Sequence, residues 1–276
     1  MKTIIITGAN TGIGFATAKS FVQDGHHVFL ACRNPQKAEH AKQQLESLGT
    51  GKVELLALDL DSLDQVNQTA NELLARLDKI DVLVNNAGIM SPTLESTKDG
   101  YEKQIGVNYI GHFLWTLKLL PLLKKSEAGR VVNLASMIHL MGSIKFDQFK
   151  AEDVKSYNGV LRYGNSKLAN LLFSNALADK LKNTSITSNA LHPGGVDSEI
   201  YRELPKYQYM VIKLFLIQPN KPAELIKKIA LDPSWSKRTG QYVSLQTPAI
   251  RSSKAKDLKL AHQLYDQTLG LVKNYL

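Results

Sequence analysis

The chain has 276 residues, 43% of them hydrophobic, so it can bury one sizeable core, and we expect a single domain over residues 1–276. Its only cysteine, Cys32, excludes an intramolecular disulfide and fits a reducing compartment, so a cytoplasmic location is expected. The net charge of +9 is compatible with nucleic acid or an anionic membrane surface, but the lysines are dispersed without interleaved aromatic residues. We therefore expect no nucleic-acid partner.

A membrane-spanning segment is not expected either. The first predicted strand begins at Thr3, which leaves no room for a signal peptide or an N-terminal anchor. The apolar run from Met210 to Ile217 is interrupted by Lys213 and falls short of the roughly 20 residues that span a bilayer. Peripheral membrane contact and a homo-oligomer stay open.

Short apolar runs alternate with longer amphipathic stretches up to about residue 245. Predicted strands are Thr3–Thr7, Val28–Ala31, Val53–Ala57, Val82–Asn85, Arg130–Ala135, Ser185–Leu191 and Gln241–Ser244, and helices in the first third are Ile13–Asp24, Pro35–Leu48 and Ser62–Leu77. Asp61 or Ser62 is expected to cap the third helix. This alternation predicts an α/β fold, a Rossmann-like doubly wound parallel sheet in a three-layer α/β/α sandwich.

A glycine-rich turn follows the first strand. Gly8 suits a tight turn with positive φ, Gly12 lets the backbone approach a pyrophosphate, and Gly14 lets the helix pack closely on the strand. The next helix directs its free N–H groups at the phosphates. This placement indicates a dinucleotide site.

Further motifs occur in a fixed order after the glycine turn. They are Asn85-Asn86-Ala87-Gly88, Asn108, Ser136 at the end of an apolar run, and Tyr163-Gly164-Asn165-Ser166-Lys167. Together with the glycine turn, this ordered set resembles the short-chain dehydrogenase/reductase family over nearly the whole chain. Four segments make the chain look most similar to the retinol dehydrogenase branch of the family, namely Ala31–Pro35, Asn85–Met90, Gly106–Phe113 and Ser166–Asn170.

The end of the second strand indicates the type of cofactor. NAD-binding proteins of this fold usually carry an acidic residue there, whereas this chain carries Arg33, whose guanidinium can hold a 2′-phosphate. Lys37 could add a second positive charge. We therefore predict NADP(H), with a solvated Arg33 as the alternative.

The family resemblance implies the remaining cofactor contacts. They are Asn10, Thr11, Ile13, Asp59, Leu60, Asn86, Ala87, Gly88, Pro193, Gly194 and Val196, besides Tyr163 and Lys167. Asp59 resembles the acidic residue that meets the adenine amine, although Asp59 or Asp61 could instead cap the next helix. For Asn85 and Asn86, a purely structural role in bonding the backbone of neighbouring strands is an equal alternative.

Hydride transfer to a carbonyl leaves negative charge on oxygen, which the protein has to stabilise and protonate. Tyr163 and Lys167 lie four residues apart on a predicted helix, so the ammonium can lower the phenol pKa from about 10. Tyr163 is then the general acid in reduction and the base in oxidation. The resemblance implies that Ser136 bonds the substrate oxygen and that Asn108 holds a relay water.

Some assignments stay open. Ser143 competes with Ser136, which we prefer because an apolar strand delivers it. Phe146 and Phe149 are expected to rim the substrate pocket, and the segment from Tyr201 to Pro222 to cover an apolar substrate, pack as a buried helix or contact a second copy. A metal is not expected, nor a catalytic role for His112 or His192.

The sequence thus predicts an NADP(H)-dependent oxidoreductase that interconverts a carbonyl and an alcohol on a mainly apolar small molecule such as a retinoid, aldehyde or ketone. The alternative is a catalytically silent NADP(H)-binding regulatory or scaffold protein. The complete set of Asn108, Ser136, Tyr163 and Lys167 argues against that alternative.

Overall fold

The computed structural model describes residues 1–195, 217–245 and 248–276. Strands in these ranges are β1 Thr3–Thr7, β2 His27–Cys32, β3 Lys52–Ala57, β4 Val82–Asn85, β5 Arg130–Leu134, β6 Thr187–His192 and β7 Tyr242–Ser244. They form one parallel sheet in the order β3-β2-β1-β4-β5-β6-β7. The strand order reverses next to β1, as in doubly wound folds that bind nucleotides at this point.

Helices follow the strands. They are α1 Gly12–Gln23, α2 Pro35–Glu46, α3 Leu63–Arg76, α4 Lys103–Ile105, α5 Gly111–Lys124, α6 Gly159–Lys180, α7 Asn220–Leu231, α8 Ser253–Lys256 and α9 Leu258–Val272. The predicted boundaries of β1–β7 and α1–α3 differ from these by no more than two residues. Within the described ranges, none of the helices has the length and apolar character to cross a membrane.

Apolar residues on both faces of the sheet produce two cores. Ile4 and Ile6 point to one face and pack with α1, α2 and α7, whereas Ile5 points to the other and packs with α3, α5, α6 and α9. Successive side chains of a strand alternate between faces, so a continuous apolar run buries both of them. The predicted three-layer α/β/α sandwich is confirmed.

Helix α9 is a feature that the strand–helix alternation did not predict. It lies against α5 and α6: the Tyr265 ring centroid is 5.0 Å from that of Phe113, and the Tyr109 hydroxyl is 2.7 Å from the Thr268 hydroxyl. Tyr109 belongs to a π-helical turn, Gly106–Ile110, that joins α4 to α5. The C-terminal helix therefore covers the outer side of the helices that carry the predicted catalytic residues.

Candidate functional site

A cleft of about 580 Å³ opens at the carboxyl ends of the central strands. Sixteen of the predicted cofactor residues line it: Gly8, Asn10, Thr11, Gly12, Ile13, Gly14, Arg33, Lys37, Asp59, Leu60, Asn86, Ala87, Gly88, Tyr163, Lys167 and Pro193. Gly194 is next to this lining and adopts φ +87°, and Val196 lies outside the described residues. A cleft of this volume has the size of a small-molecule or cofactor site.

The glycine turn leaves the start of α1 open to an anion. Gly8 and Gly12 adopt φ values of +65° and +54°, which glycine tolerates best, and the Gly8 N–H donates to the Ala31 carbonyl at 2.8 Å. Thr11 precedes α1, but its side chain does not cap the helix. The N–H groups of the first turn, which have no partner within the helix, can therefore bind phosphate oxygens.

Replacing Gly14 with alanine is expected to weaken NADPH binding by at least about tenfold, or about 1.4 kcal/mol. A Cβ there would lie 2.2 Å from the Gly8 carbonyl oxygen and 2.6 Å from Asn86 Nδ2, so the turn would have to move. NADPH titration of the folded variant measures the effect. Gly270→Ala, where a Cβ meets nothing within 4 Å, is the matched control and should leave binding unchanged. Equal affinities of the two variants would contradict the assigned phosphate turn.

The end of β2 presents positive charge to the cleft. Arg33 is exposed, lines the cleft and has no ion-pair partner within the described part of the chain. Asn34 caps α2 by accepting a hydrogen bond from the Lys37 N–H at 2.8 Å, which fixes the backbone between the two cations. The geometry therefore leaves the Arg33 guanidinium available for a phosphate.

Asp59 is also on the cleft, between two leucines. Its carboxylate accepts a hydrogen bond from the Asp61 N–H at 3.1 Å and lies 3.1 Å from Lys98 Nζ. The helix cap is Ser62, which accepts a hydrogen bond from the Gln65 N–H at 3.4 Å. The alternative that Asp59 or Asp61 caps α3 is wrong, because Asp59 bonds the preceding turn and Asp61 pairs with Lys103 at 2.9 Å.

Asn85 and Asn86 differ in their surroundings. Asn85 is buried, and its amide donates to Thr116 Oγ1 and Asn133 Oδ1 at 2.9 and 2.8 Å. The Asn86 amide donates to the Thr7 and Gly8 carbonyls at 2.8 and 3.2 Å, although Asn86 still lines the cleft. Asn86 therefore bonds the backbone at the end of β1, as the structural alternative describes, whereas Asn85 bonds side chains of α5 and β5.

Asn108 lies in the π-helical turn, where its side chain faces the other motifs. Its Oδ1 accepts from the Ile89 N–H at 2.8 Å, and its Nδ2 donates to the Ile89 carbonyl and to Ser166 Oγ, both at 2.9 Å. Ser166 Oγ in turn donates to the Tyr163 carbonyl at 2.8 Å. Both amide hydrogens of Asn108 are thus engaged, and its side chain fastens the loop after β4 to α6.

Ser166 is a site residue to which the sequence analysis assigned no role. It is fully buried and links Asn108 to the helix turn that carries Tyr163. The available signal was its position one residue before Lys167 in the quoted motif.

Ser136 and Ser143 occupy different surroundings. Ala135 follows the last residue of β5, and Ser136 comes next. The Ser136 side chain caps the 3₁₀ helix Met137–Met141. The Ser143 N–H is held by Asn165 Oδ1 at 2.8 Å, and Ser143 lines a small separate cavity. A Cβ on Gly164 of α6 would be 2.9 Å from the Ile138 carbonyl oxygen, which shows that the 3₁₀ helix packs closely against α6. The structure thus brings Ser136, rather than Ser143, to the edge where β5 ends beside α6.

Tyr163 and Lys167 come together on one face of α6. Lys167 is buried, its Nζ donates to the Leu134 carbonyl at 3.1 Å, and it lies 5.4 Å from the Tyr163 ring centroid. Burial lowers the pKa of Lys167 to about 8, so the ammonium form still predominates at pH 7. Gly88 provides room for this cation, because a Cβ at that position would be 3.3 Å from Nζ.

His112 has a structural role. Its Nδ1 is 3.0 Å from the Asn108 carbonyl and its Nε2 is 2.8 Å from the Thr7 hydroxyl. Burial, with a smaller contribution from the Lys167 charge, lowers the pKa of His112 to about 4. The neutral ring therefore joins the end of β1 to the π-helical turn.

The structure describes only part of the predicted substrate region. Phe149 is buried in the core, and Phe146 packs on it with ring centroids 5.9 Å apart. Neither phenylalanine lines the 580 Å³ cleft, and Phe149 instead lines the small separate cavity that Ser143 also lines. Residues 201–216 of the expected cover lie outside the described residues.

Comparisons with known proteins agree with this geometry. The model of the short chain dehydrogenase family matches residues 2–208. Human retinol dehydrogenase 11 is 37% identical, covering 98% of this chain and 86% of that protein, and mouse retinol dehydrogenase 12 is 38% identical with the same coverage. A crystal structure of an uncharacterized protein from Mycobacterium paratuberculosis matches with a TM-score of 0.78 and 31% identity, covering 99% of this chain and 94% of that one.

Proposed function

Because the chain belongs to the short-chain dehydrogenase family, in its retinol dehydrogenase branch, we propose that it interconverts a carbonyl and an alcohol on a mainly apolar small molecule with NADP(H). The observation that carries this proposal is the buried Lys167 beside Tyr163 in the cleft. A buried ammonium needs a functional or structural reason, since burial disfavours the charged form.

Tyr163 lines the cleft and Ser136 follows the cleft-lining Ala135, and these two residues share the chemistry at the carbonyl oxygen. NADPH, when bound, supplies the hydride that reduces the carbonyl carbon. Tyr163 donates its phenolic proton to the carbonyl oxygen, and in the oxidative direction the phenolate takes a proton from the alcohol. Ser136 Oγ holds the same oxygen in place, so negative charge that develops there meets two hydrogen-bond donors.

Lys167 and Asn108 support the proton transfer. The ammonium of Lys167 stabilises the phenolate of Tyr163 and is available to bind the ribose hydroxyls of the cofactor. Asn108 positions the loop containing Gly88 and Ile89 against α6, because its side chain bonds Ile89 and Ser166. Because both amide hydrogens of Asn108 have protein partners, a relay water there would have to donate to Oδ1 or to the backbone carbonyl, each of which already accepts one hydrogen bond.

Two observations support the preference for NADP(H). Arg33 directly follows β2 and is exposed on the cleft, at a position where an acidic residue would favour NAD. Lys37 lines the same end of the cleft. The glycine turn and the uncapped start of α1 supply the neutral donors for the pyrophosphate.

The substrate is proposed to be apolar, with retinal or retinol as one candidate, because relatives are named retinol dehydrogenases. The cleft presents Ile89, Met90 and Val107, and the 3₁₀ helix after Ser136 exposes Met137 and Met141 by 38% and 57%. Few polar groups remain that could form hydrogen bonds with the part of the ligand away from its carbonyl. Shape and apolar contact would therefore set a broad specificity.

An aldehyde series tests this proposal. With NADPH fixed, kcat/KM is expected to rise with chain length by up to about fourfold per methylene, because burying one CH₂ contributes about 0.8 kcal/mol. Retinal belongs at the apolar end of the series and a short hydroxyaldehyde at the polar end. A flat or falling trend would contradict an apolar pocket and favour a small polar substrate.

The proposal extends to organisation and location. We propose one domain over residues 1–276. We also propose a cytoplasmic location, on the ground that Cys32 is the only cysteine in the chain. The Cys32 thiol is buried, and burial raises its pKa to about 11, so it is proposed to serve packing rather than redox chemistry.

A further inference from the structure

The His139 ring forms a hydrogen bond with the backbone of the predicted catalytic serine. It lies in the 3₁₀ helix after Ser136 and is fully buried. Its backbone N–H donates to the Ser136 carbonyl at 3.1 Å, and its ring Nδ1 lies 2.7 Å from the same oxygen. Because a carbonyl oxygen only accepts hydrogen bonds, Nδ1 carries the ring proton.

The ring is held in one orientation. It meets the Tyr242 ring edge-on, with centroids 5.2 Å apart and an interplanar angle of 80°. Burial lowers the pKa of His139, and the nearby His192 has its pKa lowered to about 4, mainly by burial and also by His139. His139 is therefore neutral at pH 7, with Nδ1 as its single donor.

The second ring nitrogen of His139 has no hydrogen-bond partner among the described residues. Nε2 is buried without a hydrogen-bond partner in the described part of the chain, which costs free energy that an apolar side chain would avoid. Only Nδ1 has a partner, and that partner is the backbone of Ser136. The contact with Ser136 is thus the feature that an apolar replacement could not reproduce.

Ser136 needs such support because its own turn is weakly bonded. Its Oγ accepts from the Ile138 N–H at 3.4 Å, a long hydrogen bond, and short 3₁₀ helices have poor hydrogen-bond geometry. The preceding residue is better fixed, since the Ala135 N–H donates to the Leu191 carbonyl at 2.9 Å. Of the two hydrogen bonds that His139 donates to the Ser136 carbonyl, the one from the ring is shorter, at 2.7 Å against 3.1 Å from the backbone N–H.

We propose that His139 is a positioning residue that fixes the backbone of Ser136, and through it the hydroxyl that holds the substrate oxygen. This role rests on the proposed function. The His139 ring acts only through Ser136 and does not itself touch substrate or cofactor. A misplacement of about 1 Å at a reacting group can lower the rate by about a hundredfold.

A matched pair of amide variants tests this role. His139→Asn places an amide donor where Nδ1 lies, whereas His139→Gln places it where Nε2 lies. We expect His139→Gln to lower kcat for aldehyde reduction by about tenfold to a hundredfold, with KM and NADPH affinity little changed, and His139→Asn to retain most of the activity. His139→Leu, which lacks any donor, should behave like His139→Gln and replaces it if that variant folds poorly.

A double-mutant cycle with Ser136→Ala separates positioning from general stability. If His139 acts through Ser136, His139→Gln should cost little further activity once the Ser136 hydroxyl is absent. Additive losses, wild-type kcat in both His139→Gln and His139→Leu, or a loss of kcat that only follows a loss of folded protein would overturn the role. A wild-type chain that binds NADPH but reduces no carbonyl would instead overturn the proposed function, and the role with it.

Discussion

Tyr163→Phe is expected to keep the fold and NADPH binding but to lose roughly two or more orders of magnitude in kcat, the usual contribution of a general acid. The change removes only the phenolic oxygen, and the ring keeps its place beside Lys167. Steady-state reduction of an apolar aldehyde at saturating NADPH measures kcat, and NADPH titration confirms that the variant still binds cofactor.

Tyr157→Phe is the matched control. The Tyr157 hydroxyl accepts from Gln104 Nε2 at 2.8 Å and donates to the Ser91 carbonyl at 3.1 Å, so its loss should lower the free energy of unfolding by about 1 kcal/mol. Turnover per folded molecule should stay unchanged in this variant. Near-normal kcat of Tyr163→Phe with NADPH bound would rule out the phenol as the proton donor.

Arg33→Asp is expected to lower the NADPH/NADH ratio of kcat/KM by at least about tenfold, where each factor of ten corresponds to about 1.4 kcal/mol. The substitution removes the guanidinium that can pair with the 2′-phosphate and puts a carboxylate there, which repels the phosphate and accepts hydrogen bonds from the ribose hydroxyls of NADH. Initial rates with both cofactors over a range of concentrations give the ratio.

The same charge change far from the cleft controls for net charge. Lys125 is exposed and directly follows α5, which runs antiparallel to the strands and so ends at the opposite edge of the sheet. Lys125→Asp should leave the NADPH/NADH ratio unchanged. An unchanged ratio in Arg33→Asp would overturn the assignment of Arg33 to the phosphate.

Local sequence signals were sufficient for much of the fold. Apolar runs buried on both faces identify a parallel strand, and the glycines of the first turn identify the start of α1. Helix α9 was missed because it follows β7, adds no further strand and packs outside α5 and α6. The burial of its residues Leu264 and Tyr265 can be explained only when the positions of α5 and α6 are known.

For the candidate site, the sequence predicted the residues that are close together along the chain but not the contacts between distant ones. The sequence identified Tyr163 and Lys167 because residues four apart share a helix face. The link from Asn108 to Ser166 joins residues 58 positions apart, so it depends on how two helices pack. The sequence left the cap of α3 open between Asp61 and Ser62, because either side chain can cap a helix. The ion pair of Asp61 with Lys103, which excludes Asp61 as the cap, is a tertiary contact that the local sequence does not show.

The contact between His139 and Ser136 was also outside the reach of the sequence. A histidine three residues after a serine has many uses, and its tautomer follows only from the 2.7 Å distance between Nδ1 and the Ser136 carbonyl. The π-helical turn at Asn108 is equally unpredictable, since its residues have no distinctive helical pattern.

NADPH oxidation by the purified chain, followed over a panel of aldehydes, ketones and quinones, tests most directly whether this protein reduces carbonyls. The expected result is NADPH consumption that depends on an apolar carbonyl compound, with one alcohol formed for each NADPH and slower turnover with NADH. NADPH that binds to the chain but is oxidised with no member of the panel would contradict the account and favour a catalytically silent cofactor-binding protein.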